Sequence, residues 1–458
     1  MTYDDALAYL ESLTNYERVR DPEAMGRIRL ERMQALCQRL GDPHRRFRSI
    51  LVAGTNGKGS ICAMAASILQ QAGLRVGLYT SPHIEDLRER IRICAPAVDG
   101  QERAEASEEW ISQDEFAALV TRLRPVIQEL SDPALGGPPT YFEALTAVAF
   151  MHFVRCQVQI AVLEVGLGGR LDATNVVDPA VAVIAPIGLD HTDVLGADLA
   201  SIAQEKAGII KPGSVVVSGP QSPEAQRVIE AAAAQHGCRL LRYGQEMAAE
   251  SIQQEETGIA CSIRGSRGRH AGLVVPLMGR HQAENAAVAV TAVEWLTDRG
   301  VPYAAIRAGL QQVRWPGRVE VVRTEPLVVL DGAHNPSSAE VLRATVRAQW
   351  PGRPVHLLIG MSTDKSREAM AAVVGPMAQR IICTKSRHAR ACDPEALTAA
   401  FAGMAAEVLA IPDALDAYTY ALNTVPEDAV IVITGSLFLV GELRGACAAL
   451  GATVMGGV

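Results

Sequence analysis

The sequence predicts an α/β protein of two unequal parts, on three observations. Short apolar runs alternate with amphipathic stretches from residue 49 onward, a glycine-rich loop carrying one lysine joins such a run to such a stretch, and the alternation halts at Trp315-Pro316-Gly317-Arg318 before resuming. A chain of 458 residues exceeds one ordinary core, and a 48% hydrophobic share gives each of two domains enough apolar surface to bury.

The first predicted strand, Ile50-Leu51-Val52-Ala53, runs into Gly54-Thr55-Asn56-Gly57-Lys58-Gly59-Ser60, and a helical pattern follows over residues 61–71. Glycines let backbone amides approach phosphate oxygens, the helix start adds positive potential, Lys58 supplies a full charge, and Ser60 offers a hydroxyl near a metal. The spacing is G-x-x-G-K-G-S rather than the commoner G-x-x-x-x-G-K-S. A plain glycine turn with a solvated lysine is the alternative.

Further strands are expected at residues 76–79, 159–165, 180–187 and 215–218, forming a buried parallel sheet. Residues 238–278 are shorter, more polar and glycine-bearing, which predicts a small antiparallel appendage, followed by a helix over 281–297. A second series of strands, at 326–330, 355–359, 380–384 and 429–434, alternates with helices at 337–349, 394–401, 414–423 and 437–449. It reads as a smaller open α/β sheet. The expected division is 1–313, a linker at 314–319, and 320–458.

Composition narrows the class of function. A net charge of −8 with no long basic block argues against nucleic acid, and His44-Arg45-Arg46-Phe47-Arg48 reads as a solvated surface turn. Nine cysteines without a C-x-x-C pair suit a reducing compartment and argue against both a disulfide frame and a thiolate zinc site. An acidic start and the lack of a run of ~18 apolar residues predict a cytoplasmic protein without a membrane span. Nothing calls for an obligate oligomer, and a monomer is expected.

Candidate residues gather at predicted strand ends, where ligand crevices open in α/β sheets. Glu164 closes an apolar run, where an unpaired carboxylate costs several kcal/mol, about the penalty of an unsatisfied buried charge. Mg²⁺ is one partner for it, and Arg170 in its own loop is the alternative. The turn Gly166-Leu167-Gly168-Gly169-Arg170-Leu171 fails the dinucleotide fingerprint at Leu171 and instead brings backbone, and Asp172, close to a ligand. His191, between Asp190 and Asp193, reads as a metal ligand or as a solvated loop histidine, and the Ser81 hydroxyl would complete a hard oxygen shell. By position alone, Lys206 is an ordinary helix-surface lysine. In the second domain Asp331 and His334 sit at a strand-to-helix turn in Asp331-Gly332-Ala333-His334-Asn335-Pro336, with Asn335 or Asp331 as a mere helix cap as the alternative.

Assembled, these segments resemble the folylpolyglutamate synthase and dihydrofolate synthase family, relatives of the Mur ligases. The resemblance spans residues 54–60, 80–84, 140–143, 163–175, 189–192, 205–213, 279–285, 316–318, 331–336 and 434–436. It implies an N-terminal Mur-ligase-like ATPase domain that also carries the pterin site, and a C-terminal Rossmann-like glutamate-ligase domain. Asn56, Gly57, Lys58, Gly59 and Ser60 would hold the phosphates of ATP, and Asn285, Arg318, Asp331 and His334 would contact the nucleotide. Ser81 and Glu164 match the ligands of one Mg²⁺, and His191 with Lys206 those of a second, with Lys206 carbamylated. Thr140, Tyr141, Phe142 and Glu143 with Leu171, Asp172 and Ala173 would take the pterin, and Lys58, Lys206 and His334 would serve the chemistry.

The implied reaction is ATP-dependent addition of L-glutamate to dihydropteroate and to tetrahydrofolate polyglutamates through an acyl phosphate. A folylpolyglutamate synthase without the dihydropteroate activity is the nearest alternative, and an ATP-hydrolysing switch is the alternative from another class.

Overall fold

A computed structural model describes residues 1–18, 28–97, 107–131, 136–297 and 300–451. The chain divides into two compact units. The first comprises Met1–Ile252, Ala260–Pro276 and Gln282–Val313, and the second Gln253–Ile259, Leu277–His281 and Arg314–Val458.

The first unit is built on eight strands: β1 (Arg48–Ala53), β2 (Val76–Tyr79), β3 (Ile91–Ala95), β4 (Ser107–Trp110), β5 (Ile160–Glu164), β6 (Val181–Ile184), β7 (Val215–Ser218) and β8 (Arg239–Arg242). Their order in the sheet is β4-β3-β2-β5-β1-β6-β7-β8. From β2 to β8 the pairings are parallel, while β3 and β4 run antiparallel at one edge. The central strands are apolar throughout because helices cover both faces; β2, β5 and β6 have no exposed position.

Two expectations need correction here. Residues 239–242 belong to the main sheet, paired parallel with β7, and not to the appendage. That appendage is a three-stranded sheet of β9 (Ala248–Glu255), β10 (Gly258–Gly265) and β11 (Gly268–Val275). The basic stretch at 44–48 is only partly solvated: His44 is buried and Phe47 packs on Phe150 and Phe153 at centroid distances of 5.9 and 6.0 Å.

The second unit has six strands: β12 (Glu320–Thr324), β13 (Leu327–Leu330), β14 (Val355–Ile359), β15 (Arg380–Lys385), β16 (Glu407–Asp413) and β17 (Val430–Thr434). They lie in the order β12-β13-β17-β14-β15-β16, with β12 antiparallel and the rest parallel. The two edge strands β12 and β16 were not expected: neither has a fully buried position, β12 has only two consecutive apolar residues, and the run Val408-Leu409-Ala410-Ile411 of β16 was not read as a strand. Helices Pro336–Gln349 and Arg367–Val374 bury apolar residues in one core with the sheet, and Ala414–Thr424 and Leu437–Gly451 in another.

Register decides what meets at the carboxyl edge of the first sheet. Val52 pairs with Glu164, Tyr79 with Leu163, and Ala53 with Ile184. The loops that leave β1, β2, β5 and β6 therefore start side by side. These are the glycine-rich loop, the Ser81 turn, the 165–172 loop and the segment leading to His191.

Candidate functional site

The glycine-rich loop opens the helix Lys58–Gln71, whose N-cap is Gly57 in the left-handed region at φ 83°, without a side-chain cap. The first amides of that helix have no intrahelical acceptor and their partial positive charge faces outward, as an anion site requires. The loop itself is braced from the segment that follows β6. Thr55 and Asn56 donate their amides to Pro186 O at 3.0 and 3.2 Å, and Thr55 Oγ1 donates to Gly188 O at 3.0 Å while accepting from Gly188 N at 3.1 Å. A Cβ at Gly57 would lie 2.7 Å from Asn285 Oδ1, so the buried Asn285, in helix Arg280–Leu296, is packed directly on the loop.

Two lysines end on this loop. Lys58 Nζ donates to Thr55 O at 3.3 Å, and Lys206 Nζ donates to Gly54 O at 2.9 Å. Lys206 is only 5% exposed, which corrects the expectation of a surface lysine: helix Leu199–Ala207 turns this residue inward. Burial first, and the charge of Lys58 second, lower its pKa to about 7.

Glu164 is 5% exposed at the end of β5, and its Oε2 accepts the Ser81 amide at 3.1 Å, which joins the two candidate ligands of one cation. Arg170, offered as the alternative partner of Glu164, is engaged elsewhere: its guanidinium donates to Glu205 Oε1 at 3.1 and 2.9 Å. His191 adopts a left-handed φ of 52°, with its amide on Asp190 Oδ1 at 2.9 Å and its Nε2 3.9 Å from the same oxygen. Among the described residues no group of three or more His, Cys, Asp and Glu side chains could hold a metal ion. A cation here would need oxygens from a bound phosphate beside Glu164 and Ser81.

Asp172 shapes its own loop. Its Oδ2 accepts the amides of Gly166 and Leu167 at 3.0 and 3.1 Å, and its Oδ1 accepts Thr174 N and Oγ1 at 2.9 and 2.5 Å. Burial pushes its carboxyl above the ordinary range, and the donors oppose that. Leu171 and Ala173 flank it on the same turn. A Cβ at Gly166 would lie 2.7 Å from Phe142 Cζ, so this loop and the start of helix Tyr141–Arg155 are in contact. At that start Thr140 and Glu143 form a reciprocal capping box, and Tyr141 donates its amide to Thr14 O at 3.0 Å.

One residue here escaped the sequence reading. Arg32, 1% exposed, donates Nε to both oxygens of Glu143 at 3.0 and 2.8 Å and Nη1 to Gly136 O at 3.1 Å. The signal was present, since Arg32 shares the apolar face of helix Leu30–Arg39 with Met33, Leu36 and Cys37.

Within the second unit, Asp331 is buried at the end of β13. Its Oδ2 accepts Val319 N at 3.0 Å and its Oδ1 accepts Ala333 N at 2.8 Å, and burial raises its pKa. The helix cap is Asn335, whose side chain accepts from Ser338 N, so Asp331 is not the cap. His334 Nδ1 lies 2.8 Å from Gly332 O, and since a carbonyl can only accept, that nitrogen carries a proton. Arg318 Nη1 donates to Gly317 O at 3.0 Å and would lie 2.5 Å from a Cβ at Gly332. Arg318, Asp331 and His334 are therefore one local cluster.

Comparison with known proteins gives a consistent picture. Residues 111–293 match the Mur ligase middle domain, and residues 317–437 the Mur ligase glutamate ligase domain. A Bacillus subtilis protein described as a dihydrofolate synthase/folylpolyglutamate synthase is 35% identical over 419 residues, covering 91% of this chain and 94% of that one. A structure of Mycobacterium tuberculosis folylpolyglutamate synthase complexed with ADP superposes with a TM-score of 0.87 at 33% identity, over 97% of this chain and 98% of that chain. A structure of Escherichia coli FolC in complex with DHPP and ADP superposes with a TM-score of 0.84 at 30% identity, over 98% of both chains.

Proposed function

The chain belongs to the dihydrofolate synthase/folylpolyglutamate synthase family of Mur ligases, and we propose that it is an ATP-dependent ligase joining L-glutamate in amide linkage to dihydropteroate and to reduced folates. The observation that carries this reading is the convergence on one sheet edge of an anion-binding loop, two lysines that end on it, and a buried carboxylate braced by Ser81. Beside them Phe142 packs against Gly166, at the start of the Asp172 loop.

A carboxylate does not react with an amine, so the acid must first be activated. In our reading its oxygen attacks the γ-phosphorus of ATP held on the amides that open helix Lys58–Gln71, the bond to the β,γ-bridging oxygen breaks and ADP leaves, and Lys58 stabilises the charge on the transferring group. The resulting acyl phosphate is attacked by the glutamate amine, and the tetrahedral intermediate collapses to amide and inorganic phosphate. Thr140, Tyr141, Phe142 and Glu143 with Leu171, Asp172 and Ala173 orient the pterin, while Asn56, Gly57, Gly59, Ser60 and Asn285 hold the nucleotide. Arg318, Asp331 and His334 are the nucleotide contacts assigned to the second unit.

The donor chemistry fits magnesium at the first position: Glu164 and the Ser81 hydroxyl are hard oxygen ligands, on residues held together by the Ser81 amide on Glu164 Oε2. Magnesium there would supply charge neutralisation on the phosphate oxygens. At the second position His191 would serve with Lys206, which as an amine on Gly54 O is no ligand. A pKa near 7 keeps much of Lys206 as the neutral amine that can take up carbon dioxide, and the carbamate so formed would be an oxygen donor.

The test is phosphate release by the purified chain with ATP, glutamate and either dihydropteroate or tetrahydrofolate. Activity with both acids is expected; activity with tetrahydrofolate alone would reduce the reading to folylpolyglutamate synthesis. ATP turnover independent of acid and glutamate would replace it with a hydrolytic switch.

A further inference from the structure

The loop that follows β5 and the turn that follows Lys206 are sewn together backbone to backbone. A Cβ at Gly169 would lie 2.8 Å from Glu205 O and 3.0 Å from Lys206 Cα, and a Cβ at Gly208 would lie 2.7 Å from Arg170 Cα. Each side thus has a glycine where the other's main chain passes. Arg170 N donates to Glu205 O at 2.8 Å, and the Arg170 guanidinium closes on the Glu205 carboxylate outside.

One side chain spans the seam from within. Asn175, 2% exposed, donates Nδ2 to Arg170 O at 3.0 Å and to Gly208 O at 3.1 Å. The amide orientation is unambiguous, because turning it would set an oxygen against two carbonyls. Asn175 is itself held in place: it lies in the short helical turn Ala173–Val176 that Asp172 caps, and Lys211 Nζ donates to Asn175 O and Val177 O at 2.6 Å each. So the residue two positions beyond Ala173 is bonded to the residue two positions beyond Lys206.

We propose that Asn175 is a positioning residue that couples the acid-binding loop to the Lys206 segment, so that seating the pteridine acid at Leu171, Asp172 and Ala173 fixes Lys206 at the phosphate end of the site. This rests on the ligase reading above. The physical argument is that a buried amide with two acceptors on different segments has no alternative partner, so the two segments move together or the amide loses a bond. Substrate binding that orders one therefore orders the other.

The test is amide hydrogen exchange on the full chain with and without saturating dihydropteroate, in the absence of metal and nucleotide, alongside steady-state kinetics. In the wild type dihydropteroate should protect residues 166–178 and also 205–211. In Asn175→Ala and in the similarly sized Asn175→Asp, protection should be confined to 166–178. The KM for dihydropteroate should rise, and kcat fall, by about fivefold or more, the lower range of such couplings, with the KM for glutamate unchanged. Ile229→Val, a core truncation elsewhere, controls for lost stability and should leave all three constants as they are. Protection of 205–211 that persists in both Asn175 variants would overturn the proposal, as would its absence in the liganded wild type. Wild-type kinetic constants in variants with a lowered Tm would also overturn it, leaving Asn175 a structural residue only. Failure of the ligase reading looks different: the wild type would then show no protection by dihydropteroate anywhere.

Discussion

Lys58 and Lys206 end on consecutive carbonyls of the same loop, Thr55 O and Gly54 O, at 3.3 and 2.9 Å. Burial of Lys206 lowers its proton affinity, and the nearby charge of Lys58 lowers it further.

Lys58→Ala should lower turnover by about 10² or more, the usual cost of removing a group that stabilises transition-state charge, with the fold retained. Phosphate release and a thermal melt measured on the same preparation check it. Near-normal turnover would remove Lys58 from the chemistry.

The lowered pKa of Lys206 has a consequence for stability in bicarbonate-free buffer. The native chain releases this proton near pH 7, whereas the unfolded chain holds it to about 10.5. Between those values the unfolded state binds one more proton, so stability rises with pH, by at most about 1.4 kcal/mol per unit from this group. Below pH 7 both states are protonated and the contribution to the slope vanishes. Lys206→Met should flatten the rise between pH 7 and 10 in denaturant titrations; an unchanged slope would show that Lys206 does not titrate there.

Arg32→Met should destabilise the first unit by about 3–5 kcal/mol, because it leaves the Glu143 carboxylate buried without its cation. The loss should appear as a lower urea midpoint with an unchanged m-value. A loss under about 1 kcal/mol would mean that water reaches the pair and screens it.

In the second unit, Asp331→Ala would strip the acceptor from two amides, Val319 and Ala333. An unsatisfied buried donor costs about 1–3 kcal/mol, so faster hydrogen exchange at both positions is expected along with lower stability. Asp331→Asn, which keeps one acceptor, should restore protection at only one of the two. Slow exchange at both in Asp331→Ala would show that other acceptors serve them.

Much of the fold was legible in the chain because buried parallel strands are apolar on both faces. Residues 215–218 are the expected strand β7, and helix Pro336–Gln349 starts one residue before its expected position. The edge strand β12 has only two consecutive apolar residues, the half-exposed apolar run of β16 was passed over, and β8 was grouped with its polar neighbours instead of with β7. Glu164 stood out by itself, as a charge ending an apolar run. Lys206 did not, because helical position says nothing of what packs against that face.

The order of residues along the chain determined the α/β class, the glycine-rich loop after β1, and the ligase relationship written in its motifs. Tertiary structure alone decided which charges meet. Arg32 finds Glu143, Arg170 takes Glu205 rather than Glu164, and Lys206 reaches Gly54 from 152 positions away. The physical reason is that local periodicity reports burial within an element, whereas ion pairs and buried hydrogen bonds depend on strand order and crossovers that bring distant segments to one edge of a sheet.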